Sequence, residues 1–244
     1  MLFDSVLFLA ALGAGSIASV VGFGVGSILT PTMGIVAGTK IAVAAVSIPH
    51  FIGTSIRFWM LRRDIDRRTL LRFGVPSAAG GLTGALLHHW LGSPWLTVVF
   101  GGLLVFVAAS EFSGLSRRMR FHGAVAWIAG ALSGMLGGLV GNQGGIRSAA
   151  LLGFDLPKHA FVATATAVGV VVDLARMPVY LATTAGDLAP VGRLIVIATA
   201  GVVLGTVLGN RILARIPETR FRLIVAAILA VLGTTMLAQG LRDL

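Results

Sequence analysis

The chain is a succession of apolar runs from which charge is almost wholly excluded. Runs bounded by charge, Gly or Pro fall near residues 3–21, 27–37, 41–60, 71–91 and 95–112, and a second series near 123–140, 145–153, 159–181, 189–209 and 219–240. A helix needs roughly 20 apolar residues to cross the hydrocarbon core of a bilayer. The longer runs have that length, so the chain must be solvated by lipid. At 56% hydrophobic and 11% charged, with a mean hydropathy of +0.95, it lies outside the range of soluble domains. Eight crossings would use about 160 residues of the 244, which leaves short connections and no sizeable soluble domain. Soluble enzymes and nucleic-acid-binding modules are poor readings of such a chain.

Charge placement supports this. The 19 Lys and Arg outnumber the 9 Asp and Glu, and most basic residues sit in three clusters between apolar runs, Arg57 to Arg72, Arg117 to Arg120 and Arg211 to Arg222. That is the positive-inside pattern of cytoplasmic loops, not a polyanion-binding surface. The absence of Cys excludes disulfides, thiolate chemistry and Cys-based metal sites. The N-terminal apolar run has no basic residue ahead of it and continues past signal-peptide length, so it reads as a mature helix.

The two series of runs are copies of one unit. Val21-Gly22-Phe23-Gly24-Val25-Gly26 aligns with Val140-Gly141-Asn142-Gln143-Gly144-Gly145 at a shift of 119 residues, and the same shift places Gly34 on Gly153 and Arg57 on Arg176. Small gaps then bring Gly81 onto Gly201 and Pro94 onto Pro217. The unit of about 120 residues divides the chain into repeats 1–118 and 119–244. In each, a Gly-rich interruption precedes a run too short to cross. Loop charge alternates oppositely in the two copies: Arg62, Arg63, Arg67 and Arg68 are answered by Thr183 to Asp187, and the neutral His88 to Ser93 by Arg211, Arg215, Arg220 and Arg222. If each Gly-interrupted element turns back to its side of entry, all three basic clusters become cytoplasmic and the copies have opposite topology. The expected fold is an all-α polytopic membrane protein with two inverted repeats, about eight transmembrane helices and two Gly-interrupted elements.

Backbone that leaves helical geometry inside a bilayer must be buried in protein or line a wet cavity. Gly24, Gly26 and Ser27 in the first copy and Asn142, Gln143, Gly144 and Gly145 in the second therefore point inward, where helix N-termini present free N–H groups to an anion. Tight helix packing by small residues is the alternative reading of these glycines. Arg147 is costly within a span unless it faces a cavity or partner, and its guanidinium suits sulfonate, sulfate-like or carboxylate oxygens; snorkelling to an interface is the alternative. Asp173 and Arg176 share one helical face at i, i+3 and can pair with each other, or serve substrate and proton. His50 is a candidate proton-coupling group, with a satisfied core histidine as the plainer reading. Arg57, beside a basic loop, reads as an interfacial anchor. His88, His89 and His122 sit at span ends, and no spacing resembles a metal site. Ser27, Thr30, Thr164 and Thr166 are candidates to line the path.

The two glycine clusters, Gly22-Phe23-Gly24-Val25-Gly26-Ser27-Ile28-Leu29-Thr30-Pro31 and Ser133-Gly134-Met135-Leu136-Gly137-Gly138-Leu139-Val140-Gly141-Asn142-Gln143-Gly144-Gly145, resemble the paired signature of the sulfite exporter TauE/SafE family of membrane permeases, and the resemblance extends over nearly the whole chain. It implies transport of a small organosulfur or carboxylate anion, such as sulfite, a sulfonate or sulfoacetate, across the bacterial inner membrane, in the direction of export. Two departures stand out: Ala150 where the first copy has Pro31, and Asn142, Gln143 and Arg147 in the second copy alone. They imply unequal half-sites.

The reading is a secondary transporter with alternating access, whose partners are a small anion and membrane lipid, not nucleic acid. A passive anion channel and a non-transporting scaffold subunit are the alternatives. No nucleotide-binding loop is present, so coupling falls to an ion gradient or the substrate's own gradient. No cofactor is expected, and no nucleophile–base grouping supports an intramembrane enzyme. Short loops leave room for a homodimer through lipid-facing helix surfaces.

Overall fold

The structure, a computed structural model, describes residues 2–22, 24–118, 123–142, 144–151, 154–213 and 218–244. The described residues form helices and no strands. We label the helices α1 (Leu2–Val21), α2 (Val25–Leu61), α3 (Arg67–Trp90), α4 (Ser93–Phe112), α5 (Gly123–Val140), α6 (Gly144–Leu151), α7 (Lys158–Leu188), α8 (Gly192–Leu213) and α9 (Glu218–Arg242). Six stretches among the described residues are long and apolar enough to cross a membrane: Leu2–Ser19, Val25–Asp64, Arg67–Trp90, Ser93–Phe112, Gly123–Val140 and His159–Gly209. The two longest each contain a pair of the apolar runs seen in the sequence. Ile35, Trp59, Trp90, Val196 and Val231 are all more than half exposed. Such a belt of exposed large apolar side chains requires an apolar solvent, and the chain is a multi-pass membrane protein.

Local sequence explains where the helices stop. Gly22, Gly24 and Gly141 adopt positive φ of 84°, 133° and 75°, conformations open to glycine and strained for other residues. They end α1 and α5 and allow α2 and α6 to restart within three residues. A second break divides α2 at Gly38, with φ 74° and ψ 156°. A Cβ on Gly34 would lie 4.0 Å from Thr39 Cα, whereas five residues of continuous helix rise about 7.5 Å. The chain therefore turns back at Gly38, and residues 25–37 form a half-helix. Both interruptions recur at one spacing: α1 and α5 end, and α2 and α6 begin, at positions 119 residues apart.

Packing is made by glycine and small residues at close backbone approach, as helices pack in lipid. In the α3–α5 contact, Cβ atoms added to Gly80, Gly84, Gly134 or Gly138 would fall 2.0 Å or less from carbonyl oxygens of the facing helix. The two helices run parallel, since Ser77 Oγ donates to Gly130 O at 3.0 Å at one end and His88 Nδ1 meets Leu139 O at 2.8 Å at the other. α1 and α8 are parallel too: Arg193 pairs with Asp4 at 2.8 Å, and Ser16 Oγ donates to Gly205 O at 3.2 Å. α4 and α9 are antiparallel, Gly101 lying against Leu237 and Gly233 against Leu104. α2 and α7 pass between these pairs and carry the polar groups described next.

Candidate functional site

The two Gly-rich interruptions cross one another. A Cβ on Gly26, in the first turn of α2, would lie 2.1 Å from Gly141 O, and a Cβ on Gly141 would lie 3.6 Å from Thr30 Oγ1 and 3.8 Å from Arg176 Nη1. Only glycine allows this approach. Ser27 and Asn142 are buried beside it, and Gly144 and Gly145 form the start of α6. Gln143 lies outside the described residues, as do His122 and Pro217.

Three guanidiniums converge on the crossing, each 5% exposed or less. Arg147, on α6, reaches across to donate from Nη2 to Gly22 O at 3.2 Å. Arg57, on α2, donates from Nη1 to Ala18 O and from Nη2 to Thr54 Oγ1 at 3.2 Å. Arg176, on α7, donates from Nη1 to Gly137 O at 2.6 Å and from Nε to Asp173 Oδ1 at 2.9 Å. The carbonyls they take cap the C-terminal ends of α1 and α5, where the helix dipole favours a cation. Ala18 O and Gly137 O already accept from Gly22 N and Gly141 N, so each carbonyl serves two donors.

Positions 119 residues apart hold matching groups but differ in chemistry. Arg57 with Ala18 stands 119 residues before Arg176 with Gly137. Asp173 Oδ1 lies 2.8 Å from Arg176 Nη2, and Asp173 Oδ2 lies 2.7 Å from His50 Nδ1. The Asp173–Arg176 pairing that the i, i+3 spacing allows is therefore present, and His50 is a hydrogen-bonded partner from α2. At the matching place in the first repeat stands Thr54, which has no carboxylate.

Charge does not balance. Among the described residues of this cluster, three guanidiniums face one carboxylate, whose oxygens are taken by Arg176 and His50. Arg57 Nε, Arg147 Nε and Nη1, Asn142 Nδ2 and Thr30 Oγ1 are buried and have no hydrogen-bond partner among the described residues. A buried, unpaired charge costs several kcal/mol; an anion bound there would remove that cost.

One reading of the sequence changes. Arg57 is not an interfacial anchor: it is buried and directed at α1, because residues 39–61 of α2 turn that face inward. The signal was available in its alignment with Arg176. His88 sits in the last turn of α3, at the span end the sequence indicates, and is fully buried there; it bonds Leu139 O, and its ring meets Tyr180 edge-on at 5.1 Å between centroids. Tyr180, which donates to Gly138 O, has no signal in the sequence, because a lone tyrosine in an apolar run carries no pattern. Thr164 Oγ1 accepts from Asp66 N at 3.0 Å and Thr166 Oγ1 donates to Val162 O at 2.8 Å, so their hydroxyls serve backbone rather than the crossing.

A family model described as Sulfite exporter TauE/SafE matches residues 7–236. No curated protein and no solved structure matches the chain.

Proposed function

The chain belongs to the sulfite exporter TauE/SafE family, and from that premise we propose that it carries a small organosulfur or related anion, such as sulfite, a sulfonate or sulfoacetate, across the bacterial inner membrane by alternating access between two inverted repeats. It is a membrane transporter of that family and not an enzyme. The observation that carries the proposal is the set of buried guanidinium N–H groups without partners where the two interrupted helices cross. Arg147, Asn142 and the first turns of α2 and α6, from Gly24 to Ser27 and at Gly144 and Gly145, surround the anion in this reading, and the sequence adds Gln143 as a candidate. Arg176 holds Asp173 in place beside it. Asp173 and His50, which join the two repeats through one hydrogen bond, are the proton-coupling groups.

Helix directions support the inverted repeats. α3 runs parallel to α5, so these two helices start on one side of the membrane. α9 runs against α4, so α9 starts there too. The three basic clusters of the sequence adjoin those three helix starts, and the positive-inside rule assigns such clusters to the cytoplasm. α1 runs parallel to α8, which ends on that side, so α1 and α5 point in opposite directions. The cross-packing α1 with α8 and α5 with α3 is what an exchange of repeats 1–118 and 119–244 would produce. The exposed apolar surfaces leave room for a homodimer.

Purified protein in liposomes tests the proposal. Saturable uptake of sulfite or a sulfonate, accelerated by substrate inside the vesicle, is the expected result, with uptake lost in Arg147→Ala. Currents that do not saturate and show no counter-transport would mean a channel, and absence of flux for every small anion would mean a scaffold. Since the chain has no Cys, single cysteines at Arg117 and Arg215 report sidedness; labelling from opposite faces would end the inverted arrangement.

A further inference from the structure

We propose that the transported anion binds between Arg57 of the first repeat and Arg147 of the second, beside Thr54, at the place matching the one that the Asp173 carboxylate fills in the other half-site. This inference rests on the transport reading above but makes a separate claim about where the guest sits and which atoms hold it.

Four positions that align at the 119-residue shift are involved: Ile28 with Arg147, His50 with Gly169, Thr54 with Asp173, and Arg57 with Arg176. In the second repeat, the Asp173 carboxylate presents one oxygen to Arg176 Nε and Nη2 and the other to His50 Nδ1. The first repeat keeps the arginine in the same pose, bonded to Ala18 O as Arg176 is to Gly137 O. Its carboxylate is replaced by Thr54, and the matching Arg57 Nε has no partner. The histidine is replaced by Gly169, and the space is not empty: Arg147 Nη1 lies 3.0 Å from where a Cβ on Gly169 would be, with the Thr54 methyl 3.2 Å from the same point. Arg147 Nη1 also has no partner. Arg57 Nε and Arg147 Nη1 are thus two buried donors without partners near Thr54, where the other half-site has Arg176 and His50 bonded to the carboxylate of Asp173. The missing member is an anion that offers two oxygens from one centre, as a carboxylate, sulfite or sulfonate head group does. Two guanidiniums in place of one guanidinium and one imidazole give this half-site the stronger demand for negative charge, and fork-shaped donors favour paired oxygens over a halide. In this view Asp173 is a built-in imitation of the substrate, and Thr54 leaves the first half-site without a carboxylate of its own.

The test supplies the missing carboxylate from the chain itself. Thermal-shift titrations in detergent with sulfite, methanesulfonate, acetate and chloride compare the unmodified protein with Thr54→Asp, Thr54→Asn and Arg57→Lys. The expected result is binding of the three oxyanions in preference to chloride. Thr54→Asp should raise the dissociation constant by about 100-fold, because its carboxylate competes for the same two guanidiniums, while the uncharged Thr54→Asn weakens binding far less. Arg57→Lys, which keeps the charge but loses the Nε donor, should weaken binding by about tenfold. Unchanged affinity in Thr54→Asp overturns the inference; if that variant does not fold, unchanged affinity in Arg57→Lys does so. Liposome flux separates the two claims. Oxyanion binding that Thr54→Asp removes, without flux in the unmodified protein, leaves the site standing and ends the transport reading. Equal flux in the unmodified protein and Thr54→Asp ends the site and leaves transport. An unmodified protein that binds none of the anions overturns both.

Discussion

Gly169→Ala should separate binding from stability. Gly169 lies in the interior of α7, where a Gly-to-Ala change favours the helix by up to about 1 kcal/mol. The added Cβ would stand 3.0 Å from Arg147 Nη1, 3.2 Å from Thr54 Cγ2 and 3.8 Å from Arg147 Cζ. Both close neighbours are side-chain ends, so the guanidinium is displaced by a few tenths of an ångström and the backbone stays in place. Loss of one charge-assisted hydrogen bond to a bound anion is worth about 1.5–3 kcal/mol, or roughly 10-fold to 150-fold in the dissociation constant. The variant should therefore melt at or above the temperature of the unmodified protein while binding sulfite or a sulfonate at least about tenfold more weakly. Thermal melting in detergent, with and without anion, reads both quantities from one sample. A variant that melts normally and binds the anion as before would refute the placement of Arg147 Nη1 at the site. A variant that melts well below the unmodified protein would refute the claim that only side chains yield.

Gly134→Ala is expected to do the reverse and damage the fold, because its Cβ would fall 1.9 Å from Ser77 O, a backbone atom that cannot move without parting α3 from α5; a melting point lowered by less than a few degrees in detergent would contradict the close-packing account. Asp173→Asn leaves Arg176 and His50 without a charged acceptor in a buried setting and should cost about 3–5 kcal/mol. Adding Arg176→Gln should recover part of that loss in a double-mutant melting cycle. On the connection ahead of α3, Asp66 Oδ1 accepts from Thr69 N at 2.7 Å, and this bond holds its carboxyl below the ordinary range. Because the folded pKa is depressed, the stabilisation is present above the ordinary carboxylate pKa and disappears as pH falls through the lowered value. Asp66→Ala should cost about 1 kcal/mol near neutral pH and flatten that part of the acid melting profile.

Much of this was legible in the sequence because the physics is local. Run length and charge exclusion fix lipid as the solvent, and glycine pairs mark where helices break, since positive φ is a property of the residue itself. The repeat spacing carries through to helix ends at Val21 and Val140 and to restarts at Val25 and Gly144. The pairing of Asp173 with Arg176 follows from three residues of helix. What lies between distant residues was not legible in this way. Arg147 meets Gly22 across 125 positions and His50 meets Asp173 across 123, and nothing in the neighbouring sequence of either residue names its partner. Arg57 shows the difference most clearly: its surroundings in sequence suggest a basic loop, whereas packing turns it against the end of α1. The amino-acid order by itself determined the elements, their breaks and the medium, because those depend on transfer free energy and backbone sterics summed over a few turns. Only the tertiary structure decided which buried charges are satisfied and which are left open, because that depends on groups brought together by packing.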